Sequence, residues 1–201
     1  MAASLPLAHA AAALAVVAAA GPAVAAQPSD PAAAQIARFD TALTHAATLP
    51  SAAARAKALT PAVGAAFDIP AMTGFAVGPA WSGVHATDRT MLAAAFKRLV
   101  AANYAKNFSG PGTQFVIAPE VAMRGADKLV QVHIGAAPSS GALVIYRMHR
   151  AGVAWRVVDV LFNGSVSELT TERTEFAPVW AAGGAHALAA HMDAETEKLL
   201  R

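Results

Sequence analysis

Residues 128–162 have the sequence KLVQVHIGAAPSSGALVIYRMHRAGVAWRVVDVLF, and this stretch decides the fold. Apolar and polar side chains alternate along it, which is typical of strands with one buried face. Two turn signals, Pro138-Ser139-Ser140-Gly141 and Ala151-Gly152, interrupt the alternation. The predicted strands are therefore 128–136, 142–150 and 153–162. Because short turns join them, we expect these strands to pair antiparallel.

The segments on both sides of this block follow a helical period instead. Ile36, Phe39 and Leu43 recur at spacings of three and four, and Thr87 is predicted to cap the longest helix, with Asp88 in its first turn. One further strand, 113–118, brings the predicted sheet to four strands. The predicted helices begin at Pro31 and cover 51–59 (closed by Pro61), 68–77, 88–108, 166–180 and 185–200. The order predicts an α+β fold, in which helices cover one face of a strongly bent four-stranded antiparallel sheet.

The composition excludes several classes of protein. Hydrophobic residues make up 56% of the 201 residues and charged residues only 14%, which excludes an intrinsically disordered chain. The net charge is +2 without a run of Lys or Arg, so no nucleic-acid partner is expected. Cysteine is absent, which excludes disulfides, thiolate metal sites and cysteine nucleophiles.

The first 26 residues contain no Lys, Arg, Asp or Glu. An apolar run over 10–20, a Gly21-Pro22 break and small residues up to Ala26 predict a signal peptide cleaved near Ala25 or Ala26. The alternative is an uncleaved anchor, but the run is shorter than the ~20 residues that span a bilayer. We therefore expect a single domain over 27–201, exported from the cytoplasm.

Catalytic and metal-binding motifs are not evident. Histidines lack ligand spacing, and no nucleophile elbow or phosphate-binding loop occurs, so neither a metal nor a cofactor is expected. Asp159 is the exception, because it lies within the apolar run 157–161 and must find a partner or raise its pKa. It is expected either to bond backbone N–H groups or an arginine, or to act as the general base of a small isomerase-like enzyme with Tyr104 or Tyr146 as oxyanion donor.

Several segments together resemble the MlaC-type family of periplasmic lipid-binding proteins, also called toluene-tolerance auxiliary proteins. They are Phe67-Asp68-Ile69-Pro70-Ala71-Met72, Val77-Gly78-Pro79-Ala80-Trp81, the helix with Phe96 and Tyr104, Trp155-Arg156-Val157-Val158-Asp159-Val160, and Gly164-Ser165-Val166-Ser167-Glu168-Leu169 leading into Arg173-Thr174-Glu175-Phe176. The sequences of these segments are most similar to those of the hopanoid-associated, HpnM-like branch of the family.

The resemblance implies a non-enzymatic shuttle that holds lipid acyl chains between its helices and a bent sheet. The implied ligand is a phospholipid or a hopanoid. The implied partners are an inner-membrane MCE-domain ABC transporter or an RND-type hopanoid exporter, and an outer-membrane acceptor complex. A structural periplasmic adaptor with a filled core is a further alternative.

Alternation predicts which side chains would line such a pocket. The expected lipid-contacting residues from the sheet are Val132, Val144, Tyr146, Met148, Trp155 and Val157, with Val130 and Ile134 on the same face. The expected residues from the helices are Met72, Phe75, Phe96 and Val100. The alternative for each of these side chains is that it simply fills the core.

Basic residues concentrate around the second turn of the block. Arg147, His149, Arg150 and Arg156 meet across Ala151-Gly152 on neighbouring strands. Like charges at such positions are mildly destabilising, so the fold alone offers no evident reason for them. Such a cluster is usually a solvated face. The alternative is that Arg147, Arg150 and Arg156 dock onto an acidic partner or onto anionic headgroups, which would give the cluster a function.

Overall fold

The computed structural model of the chain describes residues 28–110, 112–137 and 140–201, without the side chains of 136, 137 and 140. The predicted signal peptide lies outside the described residues. Five α-helices and a 3₁₀ helix (Gly78–Gly83) occur in them. The α-helices are α1 (Pro31–Ala47), α2 (Ala52–Ala66), α3 (Ile69–Val77), α4 (Ala86–Asn107) and α5 (Glu168–Leu200).

The sheet has six strands, all paired antiparallel, in the order β1-β3-β4-β5-β6, with β2 also paired to β3. The strands are β1 (Gln114–Ile117), β2 (Ala122–Arg124), β3 (Asp127–Ala137), β4 (Ser140–Ala151), β5 (Ala154–Phe162) and β6 (Val166–Ser167). The predicted class is therefore confirmed, but the count of four strands is wrong. The two additional strands, β2 and β6, have three and two residues, too few for a period of two to show.

Helix ends follow the capping chemistry in most places. Asp30 accepts a hydrogen bond from the Ala32 N–H at 2.8 Å and caps α1, with Pro31 following it, as predicted. Thr87, however, does not cap α4, because the helix already begins at Ala86. Asp88 still lies in its first turn, at the positive end of the helix dipole.

Two predicted helix boundaries differ in the structure. Helix α2 continues through Pro61 to Ala66. Leu59 and Val63, buried on either side of the proline, keep the helix in place across the missing N–H. The two predicted C-terminal helices form one run, α5, whose backbone leaves helical geometry at Gly183 and Gly184. Gly184 has φ 62° and ψ −148°, a conformation that only glycine adopts readily, so the predicted break is present as a kink.

One face of the sheet carries the core, and the helices cover it. Val130, Val132, Tyr146, Met148 and Val157 are fully buried on this face. Among the described residues, no helix has both the length and the apolar character needed to cross a bilayer.

Candidate functional site

A cavity of about 640 Å³ lies between the inner face of the sheet and helices α3, α4 and α5. This volume is within the range of roughly 300–1,000 Å³ that small-molecule sites occupy. Its apolar lining consists of Phe67, Met72, Phe96, Val100, Phe108, Ile134, Ala142, Val144, Val160, Phe162 and Leu169. Its polar lining consists of Asn103, Tyr104, Asn107, Tyr146, Glu168, Thr171, Glu172 and Glu175.

A β-bulge decides which residues of β5 face the cavity. Arg147 of β4 pairs with Asp159, but the next residue, Met148, pairs with Val157, so Val158 is an extra residue in β5. Before the bulge Val157 faces the core, and after it Val160 and Phe162 line the cavity. Strict alternation from Val157 would have placed Asp159 on the cavity side.

The structure places the ten predicted lipid-contacting residues in three environments. Five line the cavity, namely Met72, Phe96, Val100, Val144 and Tyr146. Three are fully buried in the adjoining core, namely Val132, Met148 and Val157. The remaining two lie outside the lining: Lys128 packs over the half-buried Trp155 ring, and Phe75 is 46% exposed beneath the Arg173 guanidinium.

Sequence reasoning missed the acidic part of the lining. Glu168, Glu172 and Glu175 follow one another at spacings of four and three on the first turns of α5, and therefore share one face of the helix. Burial, together with the charges of Glu175 and Glu168, raises the pKa of Glu172 to about 7. Their spacing next to the buried Leu169 and Phe176 is the signal that could have identified them.

A pair of tyrosines provides the other notable polar group. The Tyr104 hydroxyl lies 3.5 Å from the Tyr146 hydroxyl, and Tyr146 is fully buried. Burial, and to a lesser degree the nearby Asp40 carboxyl, raises the pKa of both phenols, so they stay protonated at neutral pH. Phe39 and Phe67 pack edge-on against Tyr104, with ring centroids 4.9 and 5.7 Å away.

Asp159 is held by hydrogen bonds away from both tyrosines. Its Oδ1 atom accepts from the Val160 N–H at 2.9 Å, the Ser167 hydroxyl at 3.0 Å and the Leu169 N–H at 3.4 Å. It does not line the cavity. A general base needs an accessible, unpaired carboxylate beside its substrate. The geometry required by the isomerase-like alternative is therefore not the one observed, and bonding to backbone N–H groups is confirmed.

Each basic residue of the β4–β5 hairpin has a local partner. Arg147 pairs with Asp127 at 2.6 Å, and His149 contacts Asp68 at 2.7 Å. Arg156 donates to the Gly64 carbonyl at 2.9 Å, within the last turn of α2, and Arg150 donates to the Gly152 carbonyl at 3.1 Å. The expectation that the fold offers no reason for this cluster is therefore wrong, because Arg147 and Arg156 tie the hairpin to neighbouring elements.

The fold and the site together define an α+β protein with an open, largely apolar cavity between its helices and its sheet. The family model described as "MlaC protein" matches residues 37–194, and the chain belongs to this family.

The chain is also similar in structure to the phospholipid-binding protein from Ralstonia solanacearum, solved in complex with a phospholipid. The TM-score is 0.69 at 18% sequence identity, and the match covers 86% of this chain and 100% of the other. At this identity the likeness establishes the fold. No curated protein sequence matches the chain.

Proposed function

We propose that this protein is a periplasmic lipid carrier that holds the acyl or polycyclic part of a phospholipid or hopanoid in the cavity. The observation that carries the proposal is the apolar cavity of about 640 Å³ in a chain of the MlaC family. Export to the periplasm is supported by the uncharged, alanine-rich residues 1–26.

The energetics favour a carrier with this site. Burying a methylene contributes ~0.8 kcal/mol, so a 16-carbon chain contributes on the order of 12 kcal/mol before the losses that accompany binding. Spontaneous release would then be slow, and loading and unloading require partners. We propose an inner-membrane MCE-domain ABC transporter or RND-type exporter as the donor or acceptor on one side. On the other side, an outer-membrane complex would act as the second partner.

Analysis of co-purified lipid tests the binding role. The protein is purified from the periplasm, extracted with organic solvent and analysed by mass spectrometry, and we expect bound phospholipid or hopanoid. Purified protein should also move labelled lipid between donor and acceptor vesicles. Absence of both co-purified lipid and transfer would contradict the proposal.

Bulky substitutions test whether the lipid occupies this cavity. Val100 and Val144 line it, whereas Val153 is 95% exposed in the β4–β5 turn. We expect Val100→Trp and Val144→Trp to lower bound lipid on the order of tenfold, equivalent to ~1.4 kcal/mol of lost contact. Val153→Trp is the matched control and should bind as wild type does. A photo-crosslinker at Phe96 should give lipid adducts, and one at Val153 should not.

A further inference from the structure

A second recess, of about 500 Å³, opens to solvent and shares one lining residue, Phe67, with the cavity between the sheet and the helices. Helix α4 contributes one face to it, because its lining residues follow the helical period. They are Thr90, Ala93, Ala94 and Lys97. The end of α2, the start of α3 and the β4–β5 hairpin contribute Gly64, Phe67, Asp68, Ile69, Pro70, Ala151 and Arg156. We call this recess the α4 groove.

Most of the lining of the α4 groove is apolar. Pro70 is exposed, and Ala93 and Ala94 are half-buried, so apolar surface faces water here. The small alanine side chains leave room for a larger side chain to enter. A partner that fills the groove with an apolar group therefore gains the free energy of removing this surface from water.

The charged groups of the groove are two cations and one carboxylate that is already engaged. The Asp68 Oδ1 atom accepts a hydrogen bond from the Ala71 N–H at 3.1 Å, and its Oδ2 atom lies 2.7 Å from the His149 Nε2 atom. No ion pair joins Asp68 to Lys97 or Arg156 in the described chain. The two cations are thus left with their positive charge uncompensated within the groove.

Lys97 is half-buried without a carboxylate partner. Its stem lies beside Gly64, where a methyl group would be 3.8 Å from the Lys97 Cδ atom. No described carboxylate pairs with its ammonium group. The stem therefore contributes packing at α2, while the charge at its end is available to a partner.

The end of α2 accounts for Arg156 but not for Lys97. The last turn of α2 contains no basic residue, and a cation is favoured at this negative end of the helix dipole. Arg156 meets this need, because its Nη1 atom donates to the Gly64 and Ala65 carbonyls at 2.9 and 3.3 Å. These two bonds leave its Nε and Nη2 atoms without a partner in the described chain, and that edge of a guanidinium group can take both oxygens of a carboxylate.

We propose that the α4 groove docks an acidic segment of a protein partner. A carboxylate of this segment would pair with Lys97 and Arg156, and a neighbouring apolar side chain would cover Ala93 and Ala94. Opposite charges at the rim and an apolar group inside match what the groove presents. A flat bilayer surface would reach the cations but leave the recess empty. The inference rests on the proposed carrier function, which requires partners, and it states the chemistry of one of them.

Photo-crosslinking in the periplasm tests the docking site. The crosslinker p-benzoylphenylalanine is placed at Thr90, in the groove, or at Thr41, which is exposed on α1 outside both recesses. The two sites are matched, because each hydroxyl donates to the carbonyl four residues earlier, at 3.0 and 2.8 Å. We expect a protein adduct at Thr90 and none at Thr41. Mass spectrometry of the digested adduct should map it to a segment with Asp or Glu beside an apolar residue.

Charge variants show whether Lys97 holds this segment. Lys97→Met keeps the stem beside Gly64 and removes the charge, and Lys97→Glu reverses it. We expect both to lower the Thr90 adduct, Lys97→Glu on the order of tenfold. Arg124→Glu, at an exposed position on β2, is the control and should leave the adduct within about twofold. Circular dichroism confirms that each variant is folded.

A charge exchange gives the sharpest result. Replacing the mapped carboxylate of the partner with lysine should abolish the adduct with the wild-type chain and restore it with Lys97→Glu. Three results would each overturn the inference: no protein adduct at Thr90, an adduct that maps to a segment without acidic residues, or an adduct that is insensitive to Lys97→Glu.

Bound lipid, measured in the same preparations, separates this inference from the proposed function. Lys97 does not line the cavity between the sheet and the helices, so Lys97→Glu should carry as much lipid as the wild type. Loss of docking with normal lipid content is therefore the expected result for this variant. A wild-type protein without bound lipid would contradict the carrier function instead.

Discussion

Asp40, in the middle of α1, and Asp159, near the end of β5, are both carboxylates among apolar neighbours, but their surroundings differ. Asp159 accepts three hydrogen bonds, two of them from backbone N–H groups. Asp40 is 6% exposed, and neither of its carboxylate oxygens has a hydrogen-bond partner among the residues that the structure describes. The first acid joins a strand to the start of a helix, whereas the second is buried in the core without a hydrogen bond to the tyrosine hydroxyls near it.

The difference follows from where unused donors occur. The first N–H groups of a helix have no intrahelical acceptor, and the Leu169 N–H at the start of α5 is one of them. In the middle of α1 the backbone N–H groups are already bonded within the helix. A carboxylate there finds partners only among side chains, and those packed around α1 are largely apolar. Position along the element, more than burial, decides whether the acid is satisfied.

The largest effect on the free energy of unfolding is expected at Asp40. Burial raises the pKa of this carboxyl from 3.8 to about 7. The unfolded chain therefore loses the proton near pH 4 and the folded chain near pH 7, so stability falls as pH rises through this window. We expect Asp40→Asn to increase the free energy of unfolding by on the order of 2–4 kcal/mol at pH 8, and by little at pH 4.

Urea unfolding at several pH values measures this difference. Asp193→Asn is the control, because Asp193 forms an exposed ion pair with Arg98 and should change stability by less than ~1 kcal/mol. A variant-minus-wild-type difference that does not grow between pH 4 and pH 7 would show that Asp40 is solvated or partnered in solution.

The two acids also show what sequence patterns reveal. Asp159 was evident because it interrupts an apolar strand, but the bulge at Val158, which turns it away from the cavity, leaves no signature in the residue types. Asp40 escaped notice although the spacing of Ile36 and Leu43 places position 40 on the buried face of α1. Alternation thus identified the sheet and two of the five predicted residues that line the cavity, Val144 and Tyr146, and helical spacing identified the other three. The hydrogen-bond partners of the polar side chains depend on tertiary contacts, which the periodicity of the sequence does not reveal.

The second-largest effect on the free energy of unfolding is expected at Asp159. Asp159→Ala removes the acceptor of all three hydrogen bonds and should lower the free energy of unfolding by about 1–3 kcal/mol. Asp159→Asn keeps an acceptor oxygen and should lose less than ~1 kcal/mol. Hydrogen exchange of the Leu169 amide gives a local measurement, with faster exchange expected in the Ala variant. Equal stability of the two variants would mean that these hydrogen bonds contribute little. The different effects of Asp40 and Asp159 on stability would then come from their burial alone.

The smallest effects on stability are expected in the basic β4–β5 hairpin. Two of its arginines, like the two acids, differ in whether they bond to a neighbouring element. Arg156 donates to the Gly64 and Ala65 carbonyls in the last turn of α2, whereas Arg150 bonds only within its own turn. Arg156→Glu removes these bonds and places a carboxylate at the negative end of the helix dipole, so we expect a loss of about 1 kcal/mol. Arg150→Glu should change stability by less than ~0.5 kcal/mol.

Arg150 is consequently the cleaner probe of the proposed docking surface. If Arg147, Arg150 and Arg156 meet an acidic partner or anionic headgroups, Arg150→Glu should slow lipid transfer at low salt and leave the pre-bound lipid in place. The difference in transfer rate between this variant and the wild type should shrink as ionic strength rises, because exposed charges are screened beyond ~8–10 Å. Vesicle-to-vesicle transfer at two salt concentrations measures this. Transfer that responds neither to salt nor to Arg150→Glu would leave Arg147 and Arg156 with the structural contacts described above, and the docking surface would have to lie elsewhere.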